Sequence, residues 1–416
     1  MALALALAEG LPPRSATSGS TSRGGATGVH IALVDRDGEK PADAENGPRD
    51  GRAVALAASS VRLLTALGVW QDIEHASEPV SGIEITDSAL KAGIRPVLLS
   101  YDTHIGGDEL DSGEASMQIV PLAVLEAALS TAIARRPEIT VLRGRTIASF
   151  ASGPERVSVV LDDGRALDAP LLAACDGRRS KLREMAGIGT VGWDYHQHGI
   201  TVVVAHDEPH RSKAVQHFLP GGPFALLPLP GNRTCVTWSE GSEEAARIMA
   251  LDDAAFLEEL DRRVAGRLGA LRIDGTRQSW PLDVFLARDY VKPRFVLVGD
   301  AAHGVHPIAG QGLNLAMKDV AALVEVTVDQ ARLGLDLGAP EALSRYERWR
   351  RFDTMTAAAG FDALNRLFSN DIGLLRSLRS LGLELVDRVP LLKRHLVDEA
   401  AGITGTLPRL LRGNRV

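Results

Sequence analysis

The stretch PRFVLVGDAAHGVHPIAGQGLNLAMKDVAALVEV, from Pro293 to Val326, predicts a strand, a loop and a helix. Its continuous apolar run at 295–298 suits a strand buried on both faces of a parallel sheet. Gly299 and Asp300 end this strand, and apolar residues recur at helical spacing from Leu313 onward. An acid at the end of a parallel strand can accept hydrogen bonds from a sugar hydroxyl, and helix N–H groups attract negative charge. The stretch therefore predicts a site for an anionic or electron-rich ligand.

A strand followed by Gly-Asp also occurs in ordinary strand–helix connections, but the longer string is more specific. Residues 299–319 resemble the second flavin motif of the aromatic-ring hydroxylases, FAD monooxygenases similar to p-hydroxybenzoate hydroxylase. HPIAGQGLN, at 306–314, is similar to a narrower branch, the ubiquinone-biosynthesis hydroxylases of the UbiH type. Ala316 replaces the Gly of that branch, and we expect a slightly tighter fit without loss of function. The resemblance implies FAD contacts at Gly299, Asp300, Pro307, Gly310, Gln311, Gly312, Leu313 and Asn314.

A second motif lies upstream, in PLLAACDGRRSKLREMAGI at 170–188. An apolar strand runs into a turn, and a helix start follows. The segment resembles the family's Asp-Gly motif, which contacts FAD and is associated with NAD(P)H use. The matching positions are Asp176, Gly177, Ser180 and Arg183. Two flavin motifs in the family's order argue against coincidence.

Two further cofactor contacts are expected near the N-terminus. VHIALVD, at 29–35, predicts a buried strand whose last residue, Asp35, can bind the adenosine ribose hydroxyls. Arg52 opens a segment to Trp70 that predicts a helix, and the resemblance implies that Arg52 lies beside the flavin. An arginine at a helix N-terminus opposes the helix dipole, which also indicates an anionic partner. A surface acid and a solvated arginine are the alternatives.

The resemblance covers nearly the whole chain and implies its fold class. The fold is α/β, with a discontinuous Rossmann-like FAD-binding domain containing a parallel sheet, an inserted antiparallel-sheet substrate domain and a helical C-terminal tail. The length of 416 residues agrees with two or more domains. We assign 1–79, 102–190 and 286–345 to the FAD-binding domain, 80–101 and 191–285 to the substrate domain, and 346–416 to the tail.

The chain starts after the first motif of the resembled family. MALALALAEG, at 1–10, resembles that family's first helix, which there follows an apolar strand and a Gly-x-Gly-x-x-Gly turn. Two explanations are open: a start codon assigned downstream of the true one, which we favour, or a protein that lacks this element. The second would put FAD affinity and fold stability in question.

The substrate domain and the tail give weaker signals. Short strands between 199 and 240 predict an antiparallel sheet, in which His217, Pro223 and Phe224 could line a pocket or simply pack. The tail from Asn365 is basic and rich in leucine, so it either packs on the FAD-binding domain, which we favour, or lies on an anionic membrane surface. Helices are also expected at 119–133, 254–268, 341–351 and 355–367.

Composition excludes several classes of function. The net charge of −7 argues against a nucleic-acid partner. Cys175 and Cys235 lie in apolar runs, so we expect two reduced, buried thiols in a cytoplasmic protein, without a metal site. No apolar stretch approaches the roughly 20 residues of a membrane span.

The resemblance implies an enzyme that hydroxylates an aromatic ring through a flavin C4a-hydroperoxide, with NAD(P)H as electron donor and O₂ as co-substrate. The leading hypothesis is a polyprenylated phenol of ubiquinone biosynthesis as substrate, other proteins of that pathway as partners, and peripheral contact with the inner membrane. The alternatives are a soluble aromatic substrate, or a flavin-free relative that serves as a scaffold in a biosynthetic complex. No catalytic residue is assigned, and His217, His303 and His306 are candidates by chemistry alone.

Overall fold

The computed structural model describes residues 1–11, 29–38, 51–87, 97–103, 114–306, 310–368, 394 and 397–416. The strands in these ranges are β1 Ile31–Asp35, β2 Ala53–Ala57, β3 Glu78–Pro79, β4 Gly82–Asp87, β5 Val97–Asp102, β6 Met117–Pro121, β7 Ile139–Arg143, β8 Ile147–Ser152, β9 Val157–Leu161, β10 Ala166–Ala169, β11 Leu172–Ala174, β12 Thr190–His206, β13 Lys213–Leu219, β14 Gly222–Leu229, β15 Arg233–Gly241, β16 Leu271–Ile273, β17 Gln278–Ala287, β18 Val291–Lys292, β19 Phe295–Leu297 and β20 His303–Gly304. The helices are α1 Ala2–Gly10, α2 Ala58–Ala66, α3 Trp70–Ile73, α4 Leu122–Ala134, α5 Lys181–Met185, α6 Ser242–Met249, α7 Asp253–Val264, α8 Gln311–Arg332 and α9 Pro340–Phe368.

Two small sheets contain parallel strands. β1 pairs in parallel with β7, and β11 pairs in parallel with β19, which has β18 on its other edge. The predicted strand at 295–298 is confirmed, because β19 is completely buried. β1 is only half-buried, since within the described ranges β7 is its one partner strand. Both sheets contribute to the same hydrophobic core.

Helix α8 runs through the centre of that core. Every residue from 319 to 328 is buried, so this part of the helix is surrounded by protein on all sides. α1 packs along it through the buried side chains of Leu3 and Leu5, as the predicted N-terminal helix should. The core thereby fixes the start of α8 next to the end of β19.

The largest sheet in the described ranges is antiparallel except where β4 pairs in parallel with β13. Its strand order is β20-β17-β12-β15-β14-β13-β4-β5, and β16 pairs with β12. β4 and β5 therefore join this sheet. One core cluster joins this sheet to α6 and α7. A second cluster joins it to β2 and β6, which connects the two halves of the fold. The predicted α/β fold class, with both parallel and antiparallel sheets, is confirmed.

The segment after Arg52 was predicted as a helix, and this was wrong for its first turns. Residues 53–57 form β2, which pairs antiparallel with β6 from Ala53 opposite Pro121 to Ala57 opposite Met117. Strand pairing overrides the helix propensity of alanine here. Arg52 therefore precedes a strand, and the argument from the helix dipole does not apply to it.

Other boundaries also differ from the prediction. The helix expected from Ile119 begins at Leu122 because β6 occupies 117–121, and α7 ends at Val264 because Ala265 adopts a left-handed conformation. The two helices expected at 341–351 and 355–367 are one continuous helix, α9. No glycine or proline lies between them to interrupt it. Cys235 is buried as expected, but Cys175, at the end of β11, is exposed.

The described end of the tail packs against α8 and α1. Leu410 and Leu411 are buried in its core. Arg409 pairs with Asp329 on α8, and Arg415 pairs with Glu9 on α1. Residues 369–393 and the loop at 12–28 lie outside the described residues. No described helix is long and apolar enough to cross a membrane, and the described residues contain no cluster of His, Cys, Asp or Glu suited to a metal.

Candidate functional site

A buried ionic network holds the turn after β19 against α8. The carboxylate of Asp319 accepts hydrogen bonds from the backbone N–H of Gly299 at 2.9 Å, from Nε2 of His303 at 2.6 Å and from Nε of Arg350 on α9 at 2.7 Å. Burial opposes the ionisation of Asp319, but His303 and Arg350 hold its pKa below the ordinary value. Asp319 and Arg350 are 0% and 1% exposed, so the network is shielded from water. It fixes where the strand ends relative to the helix.

The start of α8 is anchored on β2. Gly310 precedes the helix with a φ of 63°, and a Cβ at this position would lie 3.1 Å from that of Ala55. The side-chain oxygen of Asn314 accepts from the N–H of Ala57 at 2.9 Å and from the hydroxyl of Ser60 at 2.8 Å. Its amide nitrogen donates to the carbonyl of Ala55 at 2.8 Å. The predicted cofactor contact Asn314 thus has its side chain committed to positioning the helix.

Hydrogen bonds within the Asp-Gly motif hold its turn, and one more bond joins this motif to the motif at 299–319. Asp176 accepts from the hydroxyl of Ser180 at 2.5 Å and from the N–H of Leu182 at 3.1 Å. Ser180 caps α5 by accepting from the N–H of Arg183 at 2.9 Å. The guanidinium of Arg183 then donates to the carbonyl of Ala301 at 2.8 Å. The structure therefore brings the two sequence motifs into direct contact.

Arg178, which the sequence analysis did not single out, connects this motif to the antiparallel sheet. It donates to the carboxylate of Asp283 on β17, and to the carbonyl of Val305 at 3.0 Å. Burial lowers its pKa, although the charge of Asp300 acts in the opposite direction. The ring of Phe285 lies beside the guanidinium groups of Arg178 and Arg183, at 5.9 and 4.9 Å from its centroid. The Asp-Gly motif and the large sheet thus meet at this arginine.

The remaining predicted contacts provide acceptors and donors suited to FAD. Asp300 is exposed just after β19, and Asp35 is half-buried at the end of β1, so both carboxylates lie at the carboxyl ends of parallel strands. Such carboxylates match the hydroxyls of a sugar or sugar alcohol. The first N–H groups of α8, at Gln311, Gly312 and Leu313, have no partner within the helix and match an electron-rich ring edge. The acceptors and donors of these residues therefore match the chemical groups of FAD. Pro307 lies outside the described residues.

The three tentative pocket residues are largely accounted for by packing. Phe224 is fully buried, and its ring stacks between those of His217 and Trp238, at centroid distances of 5.9 and 5.6 Å. Nδ1 of His217 contacts the hydroxyl of Thr86. Pro223 is buried opposite Phe218 in the β13–β14 pair. Phe224 belongs to the core beneath α6 and α7, which explains its burial without a ligand.

His306 differs from the other two candidate histidines. Its side chain is 1% exposed, and neither ring nitrogen has a hydrogen-bond partner among the described residues. The ring of Tyr195 meets it edge-on at 5.2 Å, and the hydroxyl of Tyr195 donates to Asp362 on α9 at 2.8 Å. Burial, assisted by the positive charge of Arg178, lowers the pKa of His306 to about 4. The imidazole is therefore neutral near pH 7.

Signals for these positioning residues were weak in the sequence. Asp319 lies within the quoted motif, but nothing in its neighbourhood identifies Arg350, 31 positions later, as its partner. Arg178 lies between two residues of the Asp-Gly motif, and only the structure identifies its contacts on β17. Each partner lies on a different element, so residue spacing alone could not have found it.

Comparisons with known proteins agree with this geometry. A family model described as an FAD binding domain matches residues 25–350. The chain is 40% identical to the ubiquinone hydroxylase UbiL of Rhodospirillum rubrum, over 93% of this chain and 88% of that protein. It is 29% identical to the 3-demethoxyubiquinol 3-hydroxylase of Escherichia coli, over 90% and 93%. The structure of the p-nitrophenol 4-monooxygenase PnpA from Pseudomonas putida superposes with a TM-score of 0.74 at 17% identity, over 98% of this chain and 96% of that one, which shows the fold.

Proposed function

The chain belongs to the FAD binding domain family, and on that premise we propose that it is an FAD-dependent monooxygenase that hydroxylates the aromatic ring of a polyprenylated phenol in ubiquinone biosynthesis. The substrate class is supported by the relatives named as a ubiquinone hydroxylase and a demethoxyubiquinol hydroxylase. The observation that carries the proposal is the contact between the two flavin motifs, made by Arg183 and the carbonyl of Ala301. Such a contact is what a single cofactor site built from both motifs requires.

In this proposal, the residues of the two motifs and of β1 have defined roles in binding FAD. With FAD bound, Asp300 would accept hydrogen bonds from the ribityl chain, and Asp35 would accept them from the adenosine ribose. The N–H groups at the start of α8 would stabilise negative charge on the electron-rich edge of the ring system. Asp319 and Asn314 do not need to touch the cofactor, because they hold the turn and the helix start in place. When bound, FAD supplies the redox and oxygen-transfer chemistry.

The proposal includes NAD(P)H as electron donor and O₂ as co-substrate, and it keeps the domain boundaries given above. It also includes peripheral contact of the C-terminal region with the inner membrane, and association with other ubiquinone-biosynthesis proteins. Arg409 and Arg415 are already used in ion pairs within the chain, so the membrane contact must rely on other residues. A water-insoluble polyprenyl substrate supports this part of the proposal.

The test combines cofactor binding with product analysis. The chain is purified with FAD, its flavin content is read from the visible spectrum, and turnover with NAD(P)H and O₂ is compared for a polyprenylated phenol and a soluble benzoate. We expect one added ring oxygen on the polyprenylated phenol. Loss of the Asp300 hydrogen bonds in Asp300→Ala should weaken FAD binding about tenfold or more. Asp289→Ala, which removes a surface carboxylate paired with Lys292, is the matched control.

Three outcomes would contradict the proposal in different ways. A folded chain that stays colourless with excess FAD would support the scaffold alternative. Turnover of the soluble compound alone would move the substrate class to a soluble aromatic compound. Equal FAD affinity in the Asp300 and Asp289 variants would remove Asp300 from the cofactor site.

A further inference from the structure

Helix α9 presents an apolar stripe to solvent. Phe352 and Met355 are 74% and 48% exposed, and the positions one and two turns further along, 359 and 363, are exposed alanines. These positions recur every three or four residues, so they lie on one face of the helix. Adjoining exposed apolar side chains on one face form a patch, and patches of this kind mark interaction sites, whereas singly exposed apolar residues are normal.

The start of β12 extends this surface. Val191 and Trp193 are 54% and 43% exposed, and as alternate residues of one strand they point to the same side. Val191 and Met355 line a common groove of about 340 Å³ at the junction of α9 with β12 and β17. We call the four residues Val191, Trp193, Phe352 and Met355 the α9–β12 surface.

Three arginines lie around the α9–β12 surface. Arg288 and Arg351 line the same groove, and Arg348 lies one turn before Phe352 on the exposed face of α9. None of the three makes an ion pair with a described residue. By contrast, neighbouring Arg350 points inward to Asp319, and Arg345 pairs with Asp329. Within the described ranges these three arginines have no carboxylate partner, so their charge can meet an external anion.

We infer that the α9–β12 surface is a docking site for an anionic lipid bilayer. An aromatic ring, aliphatic side chains and arginines on one face are the combination that lies at the boundary between headgroups and acyl chains. The arginines complement negatively charged headgroups, while the apolar residues enter the bilayer. This inference rests on the proposed function, because a polyprenylated substrate is dissolved in that bilayer. It assigns the membrane contact to the described helix α9 and to β12.

Vesicle binding by the full chain, loaded with FAD, tests the inference. Vesicles of phosphatidylcholine with phosphatidylglycerol are compared with vesicles of phosphatidylcholine alone in a flotation assay, at low and high salt. We expect binding to the anionic vesicles, weakened by salt. Phe352→Ser combined with Met355→Ser should reduce binding at least tenfold, because two apolar side chains no longer enter the bilayer. Arg288→Gln combined with Arg351→Gln should reduce it by about fivefold per arginine at low salt.

Leu333→Ser combined with Leu335→Ser is the matched control. These leucines are 72% and 53% exposed, in the loop after α8, and their substitution should leave vesicle binding unchanged. Equal losses in this control and in the α9 variant, or no binding of the parent chain, would overturn the inference. Gel filtration that shows a dimer dispersed by the Phe352 and Met355 substitutions would also overturn it, since a second copy would then occupy the surface.

The outcome is separable from that of the proposed function. The α9 variant should keep its circular dichroism spectrum, its FAD content and its turnover of a short-chain, water-soluble phenol. Loss of vesicle binding with these properties intact supports the docking site. A chain that binds vesicles as described but turns over no phenol would instead contradict the enzymatic proposal and leave the surface assignment standing.

Discussion

Replacing Asp319 with asparagine tests whether the buried ionic network sets the geometry of the site. The substitution keeps the shape of the side chain but removes its charge. Arg350, 1% exposed, would then retain Asp353 as its remaining carboxylate partner at 2.8 Å, and Asp353 is 42% exposed. The N–H of Gly299 and Nε2 of His303 would lose a charged acceptor.

The expected cost follows from the burial of both partners. Removing one member of a buried ion pair destabilises a protein by about 3–5 kcal/mol, because the other charge is left uncompensated. The asparagine oxygen can still accept a hydrogen bond from the N–H of Gly299. We therefore expect the free energy of unfolding to fall by about 3 kcal/mol in Asp319→Asn and by about 4–5 kcal/mol in Asp319→Ala. Asp353→Asn removes the exposed partner of the same arginine and should cost less than about 1 kcal/mol.

Urea unfolding followed by circular dichroism measures these differences. The variants are compared without FAD, because a bound ligand would add its own stabilisation. The flavin content of each variant is then measured separately, and it should fall with Asp319→Asn as the turn at Gly299 shifts. Losses of less than about 1 kcal/mol for Asp319→Asn, or equal losses for Asp319→Asn and Asp353→Asn, would refute this account of the network.

Two further predictions concern the loop before α8. Gly310→Ala should lower the free energy of unfolding by about 1–2 kcal/mol, because the backbone there is left-handed and the new methyl group meets Ala55. Gly312→Ala, whose new methyl group meets only Val305 among the described residues, at 4.0 Å, should be neutral or slightly stabilising. Thermal melts compare the pair, and equal effects would contradict the reasoning. His306 has a pKa lowered by burial to about 4 in the folded protein, below its ordinary value of 6.5. The unfolded chain therefore binds the proton more tightly, and stability should fall by about 2 kcal/mol between pH 7 and pH 5. His306→Gln should remove this contribution, and identical pH profiles for variant and parent would disprove it.

The sequence by itself determined the elements whose information is local. The apolar run at 295–298, the Gly-Asp turn and the helical spacing after Leu313 are contiguous, and they predicted β19 and α8 correctly. The Asp-Gly motif contained its own cap, since Asp176, Ser180 and Arg183 lie within one turn of a helix start. Short motifs of this kind specify backbone conformation through neighbouring residues, so they also sufficed to identify the family.

Tertiary structure decided the positions at which distant segments compete with local preference. Residues 53–57 have the alanine content of a helix, yet they form β2, because pairing with β6 and burial outweigh propensity differences of less than about 1 kcal/mol per residue. In the sequence, Asp319 is a charged residue inside a helix with no evident partner, and only the packing of α9 against α8 brings Arg350 to it. Asn314 matched the flavin motif, but its side chain is taken up by β2 and α2. Such contacts join residues 31 to 259 positions apart, and only packing of the whole chain brings them within hydrogen-bonding distance.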